Sequence, residues 1–151
     1  MDDRERTRIS AVDRVLRLAE RYRVVERDGS SHRYNESRTV NDFILPLLEG
    51  LGWDIHNDQA FDEVLPEERS GAGRADWTLS INGIPRLVVE AKALAVELRP
   101  EHAKQAIKYA YNRRVTWAVL TNFQEIRLYN AEWALKDPEP TSSLRPGGSS
   151  L

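Results

Sequence analysis

Two runs of alternating residues meet at an Asn-Gly dipeptide. Residues 74–81 and 86–92 flank Asn82 and Gly83. A two-residue period marks extended chain, and Asn-Gly between two such runs is a strong hairpin signal. In the first run Ala75, Trp77, Leu79 and Ile81 share one face, and Asp76, Thr78 and Ser80 share the other. In the second, Leu87, Val89 and Ala91 share one face, opposite Val88, Glu90 and Lys92. The hairpin therefore has an apolar side and a side bearing two acids and a lysine.

This composition constrains the register. With a plain two-residue loop Ile81 faces Ile84, residue 76 pairs with residue 89, and Asp76 and Glu90 fall on opposite faces. An odd loop, such as 82–84 with Ile81 facing Pro85, or a bulge, puts Leu79 opposite Leu87 and Asp76 opposite Glu90. Burial of the apolar set and convergence of the charged set demand the same irregularity.

The 151 residues suffice for one domain with a full core. A hydrophobic content of 40% with 30% charged residues suits a soluble protein, and no apolar run is long enough for a membrane span or a secretory leader. The absence of cysteine excludes disulfides and thiolate metal sites and fits a cytoplasmic setting. The net charge of −2 argues against indiscriminate polyanion binding, yet the charge is unevenly placed: residues 40–70 carry one base and eight acids, whereas 71–136 carry ten bases and six acids. A nucleic acid would meet the chain ends and the hairpin, not the acidic 54–68 stretch.

Residues 4–27 have helical periodicity, with Ile9, Val12, Val15, Leu16, Ala19 and Tyr22 on one stripe and Arg14, Arg17 and Arg21 on another. The arginine row is either a solvated face or a phosphate contact. A second helix is expected over 36–51, capped by Asn35, with Val40, Phe43, Ile44, Leu47, Leu48 and Leu51 on its apolar stripe. Pro46 should bend it, because the Asp42 carbonyl loses its partner. Glu36 sits near the start of that stripe. It is either a charge favoured by the helix dipole or a carboxylate seeking a partner or a metal. Residues 53–55 and 60–65 are expected as short strands, and 66–73 as a loop. A helix from about Pro100 to Arg114 buries Ala103, Ala106, Ile107 and Ala110, while Gln105 and Tyr109 share another face. Strands follow at 116–121 and 125–129. The strand–helix–strand order predicts that 116–121 runs parallel to 86–92. Residues 1–30 form an N-terminal helical extension of a single domain over 1–136, and the Pro-, Gly- and Ser-rich residues 137–151 a disordered tail or linker.

At Asp76 followed by Glu90, Ala91 and Lys92 the chain resembles the PD-(D/E)xK nuclease superfamily, with Ala75 where the motif has proline. More narrowly, Glu36, the Phe43–Leu48 segment, Leu51-Gly52-Trp53, Gln105 with Tyr109 four residues on, and residues 117–122 resemble the amino-terminal nuclease domain of type I restriction enzyme R subunits. The likeness covers about residues 33–133. It implies a restriction-endonuclease-like three-layer α/β core, with a mixed sheet of four or five strands between helices. It also implies an Mg²⁺-dependent endonuclease acting on DNA, with Mn²⁺ as a substitute, in a restriction or related defence system. The helicase motor of R subunits is not in this sequence, which holds no P-loop pattern. Expected partners are DNA and a helicase, methyltransferase or specificity subunit or fused domain.

The chemistry fits these residue types. Mg²⁺ takes hard oxygen ligands and few carboxylates. Asp76, Glu90 and the main-chain carbonyl of Ala91 supply that set. Lys92, on the face of Glu90, can orient water or stabilise the charge of the transition state. Glu36 can join from the helix, and Gln105 and Tyr109 can bond the phosphate or steady Lys92. The competing readings are a surface ion-pair cluster on an exposed sheet face and a catalytically idle DNA-binding or assembly module. A glycosidase carboxylate pair is disfavoured by the adjacent lysine and the lack of a sugar-stacking aromatic row.

Overall fold

The structure, a computed structural model, describes residues 2–59, 61–67, 76–134 and 139–145. Residues 68–73 of the loop expected over 66–73, and Ala75, lie outside the described residues. The elements are α1 (Asp3–Arg27), α2 (Glu36–Thr39), a π-helical turn (Val40–Ile44), α3 (Leu45–Gly50), β1 (Val64–Pro66), β2 (Trp77–Ile81), β3 (Ile84–Ala91), α4 (Pro100–Asn112), β4 (Trp117–Thr121), β5 (Ile126–Asn130), α5 (Ala131–Ala134) and β6 (Ser142–Leu144). The six strands form one sheet in sequence order. Every neighbouring pair is antiparallel except β3 and β4, which α4 joins as a parallel crossover. The sheet exceeds the expected four or five strands through the three-residue edge β6, and the opposite edge, β1, is equally short. Ser142–Leu144 pairs with β5 within the stretch that composition marks as a tail, where no alternating pattern signals a strand.

The β2–β3 hairpin resolves the register question with a bulge. Asn82 and Gly83 form a two-residue turn, both with positive φ (51° and 75°), and Ile81 pairs with Ile84, not with Pro85 as the odd loop required. The pairing then shifts between Leu79 and Ser80, so that Ser80 faces Pro85 while Leu79 faces Leu87. The residue skipped is Arg86, directly after a proline that cannot donate to the ladder.

The sheet is covered on both faces. Val88, Ala118, Leu120 and Tyr129 pack beneath Ala103, Ala106, Ile107 and Ala110 of α4. On the opposite face Leu79 and Val89 meet Leu48, and Ala91 meets Val40 and Ile44. Phe43, fully buried, anchors the second layer among Tyr22, Tyr34 and Phe123, with ring centroids 6.5, 5.4 and 4.7 Å away. Such offset aromatic contacts add about 1 kcal/mol each beyond area burial.

Three expectations need correction. The helix predicted over 36–51 is interrupted by the π-helical turn just before Pro46. The wider turn accommodates the missing donor, and the Asp42 carbonyl accepts from the Arg21 guanidinium at 3.3 Å. Residues 53–55 are a turn, not a strand, with Ile55 N–H donating to the Trp53 carbonyl (3.1 Å); the strand expected over 60–65 begins at Val64, and Ala60 lies outside the described residues. The apolar stripe of α1 is buried only at its end: Tyr22 and Val25 are covered, whereas Ile9, Val12 and Leu16 are 48–57% exposed. A helix of 25 residues runs to about 38 Å. Arg14 and Val15 already lie against Gly50, the end of α3, so the preceding turns extend past the layer they would pack on.

Candidate metal and phosphate site

Asp76 stands just ahead of β2 and Glu90 one residue before the end of β3. Their strands meet through the Asp76 N–H, which donates to the Val89 carbonyl at 2.9 Å. The Asp76 carboxylate accepts from the Ala91 N–H through Oδ2 at 2.7 Å, so the first acid is held against the main chain of the second acid's strand. Glu90 is only 5% exposed. Its Oε1 accepts from Lys92 Nζ at 2.6 Å, and its Oε2 is buried with no hydrogen-bond partner.

The electrostatics follow from that burial. Desolvation pushes the Glu90 carboxyl up to about 7; the Lys92 hydrogen bond opposes this, and the charges of Asp76 and Glu36 reinforce it. Burial works against the charged form of Lys92, but the bond to Glu90 and the charges of Glu90, Glu36 and Asp76 outweigh it and raise its pKa. A buried carboxylate oxygen without a donor is costly unless a proton or a cation meets it. Glu90 Oε2 is such an oxygen, beside a second carboxylate, and hard oxygen donors of this kind fit a divalent cation. Among the described residues no three or more His, Asp or Glu side chains gather to hold a metal.

Glu36, half-exposed, opens α2 behind Asn35, whose Oδ1 accepts from the Arg38 N–H at 2.9 Å. The helix is tied to the segment after Lys92 by Thr39. The buried Thr39 hydroxyl donates to the Asn35 carbonyl (2.8 Å) and accepts from the Leu94 N–H (2.9 Å). A second tie comes from β4: Lys92 N–H donates to the Thr121 carbonyl (2.9 Å), and Asn122 Nδ2 donates to the Val96 carbonyl (2.8 Å).

The α4 pair divides. Gln105 is exposed, while Tyr109 is 7% exposed and faces the polar side of β2. Thr78 Oγ1 donates to Glu67 at 2.6 Å. The Tyr109 hydroxyl lies beside this pair, short of ordinary hydrogen-bond geometry, and burial followed by Glu67 pushes its ionisation upward. Tyr109 thus adjoins Glu67 and Thr78. Sequence reasoning missed Glu67, although Thr78 already shared the face of Asp76. His102 on α4, which has no ligand-spaced partner in the sequence, accepts from the Arg99 N–H through Nδ1 at 3.1 Å. Burial, then the neighbouring Lys92 charge, holds His102 below its usual range.

A mixed sheet between helical layers, with an acid-bearing hairpin beside a parallel crossover, defines a restriction-endonuclease-like α/β core. Residues 59–137 match the model of the family described as type I restriction enzyme R protein N terminus, and the chain belongs to that family. The type II restriction enzyme and methyltransferase RM.Eco57I of Escherichia coli is 29% identical over 145 residues, which take in 88% of this chain and 14% of that protein. The chain thus spans a small part of that relative's length. No solved structure matches it. Among the described residues no helix is long and apolar enough to cross a membrane.

Proposed function

We propose that this domain is the nuclease module of a restriction system, hydrolysing DNA phosphodiesters with Mg²⁺ or Mn²⁺. The observation that carries the reading is the buried, donorless Oε2 of Glu90 beside Asp76 and Lys92, in a chain of restriction-enzyme family. Asp76, Glu90 and the Ala91 carbonyl would hold the cation. When bound, it supplies positive charge against the phosphate oxygens as they gain electron density. The Ala91 N–H holds the Asp76 carboxylate against the strand that carries Glu90. Lys92, bonded to Glu90 two residues away, would orient the attacking water or stabilise the transition state. Glu36 adds a negative charge that favours a cation at the same point. Gln105, exposed on α4, would meet a phosphate, and Tyr109 braces β2 beside Thr78. Partners would be DNA and the motor, methyltransferase or specificity parts of a larger enzyme in the cytoplasm.

Incubating the protein with plasmid DNA and Mg²⁺ or Mn²⁺, beside Glu90→Ala and Lys92→Ala, tests the proposal. Metal-dependent cutting abolished in both variants is the expected result. DNA binding with no cutting under any metal would instead make it an idle binding or assembly module.

A further inference from the structure

We infer that one face of α1 is a track for the phosphate backbone of duplex DNA leading to the acidic site; this rests on the DNA reading above and adds the surface that carries the duplex. With about 100° per residue, Arg6, Ser10, Arg14, Arg17 and Arg21 fall within one quarter of the helix circumference. All five are exposed. The stripe from Arg6 to Arg21 is about 22 Å long, some six base-pair steps of B-form DNA.

Its inner end is tied by side-chain contacts to the short helix that Glu36 opens. Arg21 pairs with Asp42 at 3.0 Å, and the same carboxylate takes Arg38 at 3.4 Å. Arg38 is two residues beyond Glu36, whose charge is felt by Glu90 and Lys92. Both guanidiniums rest on aromatic rings, Arg21 over Phe43 (5.3 Å) and Arg38 over Tyr34 (4.1 Å), and each remains about half exposed. Two cations sharing one anion leave a net positive charge held in fixed geometry, which lowers the entropy lost on meeting a phosphate. Farther out, Arg6, Arg14 and Arg17 make no ion pair among the described residues. The acids near the stripe leave its outer arginines unpaired: Glu20 is taken by Arg23 at 2.6 Å, Asp42 is shared by Arg21 and Arg38, and Asp3, Asp13 and Glu49, the last lining one cleft with Arg6, Ser10 and Arg14, form no ion pair among the described residues. Unpaired, exposed guanidiniums in a row that ends at the helix carrying Glu36 fit a polyanion whose scissile group must reach the acidic site. The track lies outside residues 59–137, the span shared with the family.

The test needs no cleavage. Binding of a fluorescent 20-base-pair duplex is measured by anisotropy against salt, without divalent ions. The wild type is compared with the triple variant Arg6→Ala, Arg14→Ala, Arg17→Ala and with Arg8→Ala, Arg23→Ala, Arg27→Ala, which removes equal charge from other faces. The stripe variant is expected to weaken binding roughly tenfold or more and to flatten the log–log salt slope by about 2 to 3, the control changing little. Equal losses in the two variants, no loss in the stripe variant, or no duplex binding by the wild type would overturn the track. Loss of binding in the stripe variant with a wild type that never cuts DNA would leave the track standing and remove only the nuclease reading.

Discussion

Replacing Glu90 by glutamine should make the protein more stable at neutral and alkaline pH. The folded state holds this carboxyl at about 7, against an ordinary value of 4.5. Below 4.5 both folded and unfolded chains carry the proton, and the group contributes no pH dependence. Between 4.5 and 7 the unfolded chain has released the proton while the folded one retains it, so wild-type stability falls as pH rises. Above 7 both are ionised and the loss is complete. A gap of ~2.5 pH units at about 1.4 kcal/mol each gives a total near 3 kcal/mol, a sizeable share of a typical domain's stability. No discount for solvent is needed at a side chain 7% exposed. Glutamine keeps the shape and the acceptor for Lys92 but has nothing to ionise. Urea unfolding of wild type and Glu90→Gln from pH 4 to 9 should show the variant gaining about 3 kcal/mol relative to wild type through the window, then levelling. A difference that is flat with pH would refute the claim that burial holds this carboxyl up.

Other consequences follow from the same geometry. Added Mn²⁺ should raise the melting temperature of the wild type above pH 7, and the rise should vanish in Asp76→Ala, as differential scanning fluorimetry would show. Thr39→Val leaves the Leu94 N–H buried without its acceptor and should cost about 1–3 kcal/mol in chemical unfolding, although the two side chains are nearly isosteric. Phe43→Ala empties the centre of the aromatic cluster and should cost about 3–5 kcal/mol by the same measurement. Gly83→Val places a β-branched residue at φ 75° and should destabilise the hairpin, seen as faster amide exchange at Leu79 and Leu87.

The hairpin was legible because its two demands coincide. Leu79 and Leu87 had to be buried together, and only a shifted register does that while leaving Asp76 and Glu90 on one side. The parallel pairing of β3 and β4 was legible for a similar reason, since a helix between two strands leaves little choice. The location of the irregularity was not. It moved from the turn to Arg86, because Asn-Gly makes a good two-residue turn and Pro85 is easily left beside a bulge. Tyr109 and Gln105 share a face by spacing, yet Tyr109 is buried beside Thr78 and Glu67 while Gln105, one turn earlier, is exposed.

By itself, then, the sequence determined which residues share a strand face and where helices start, since these depend on periodicity and on near neighbours. Tertiary structure alone decided that Ile9, Val12 and Leu16 stay in solvent, that Ser142–Leu144 becomes a strand and that Glu67 and His102 adjoin the candidate site. It decided, too, that Glu90 is left with an oxygen that nothing in the described chain satisfies. Periodicity tells a side chain which way to point, but burial and an unmet hydrogen bond depend on what distant segments bring to the same place.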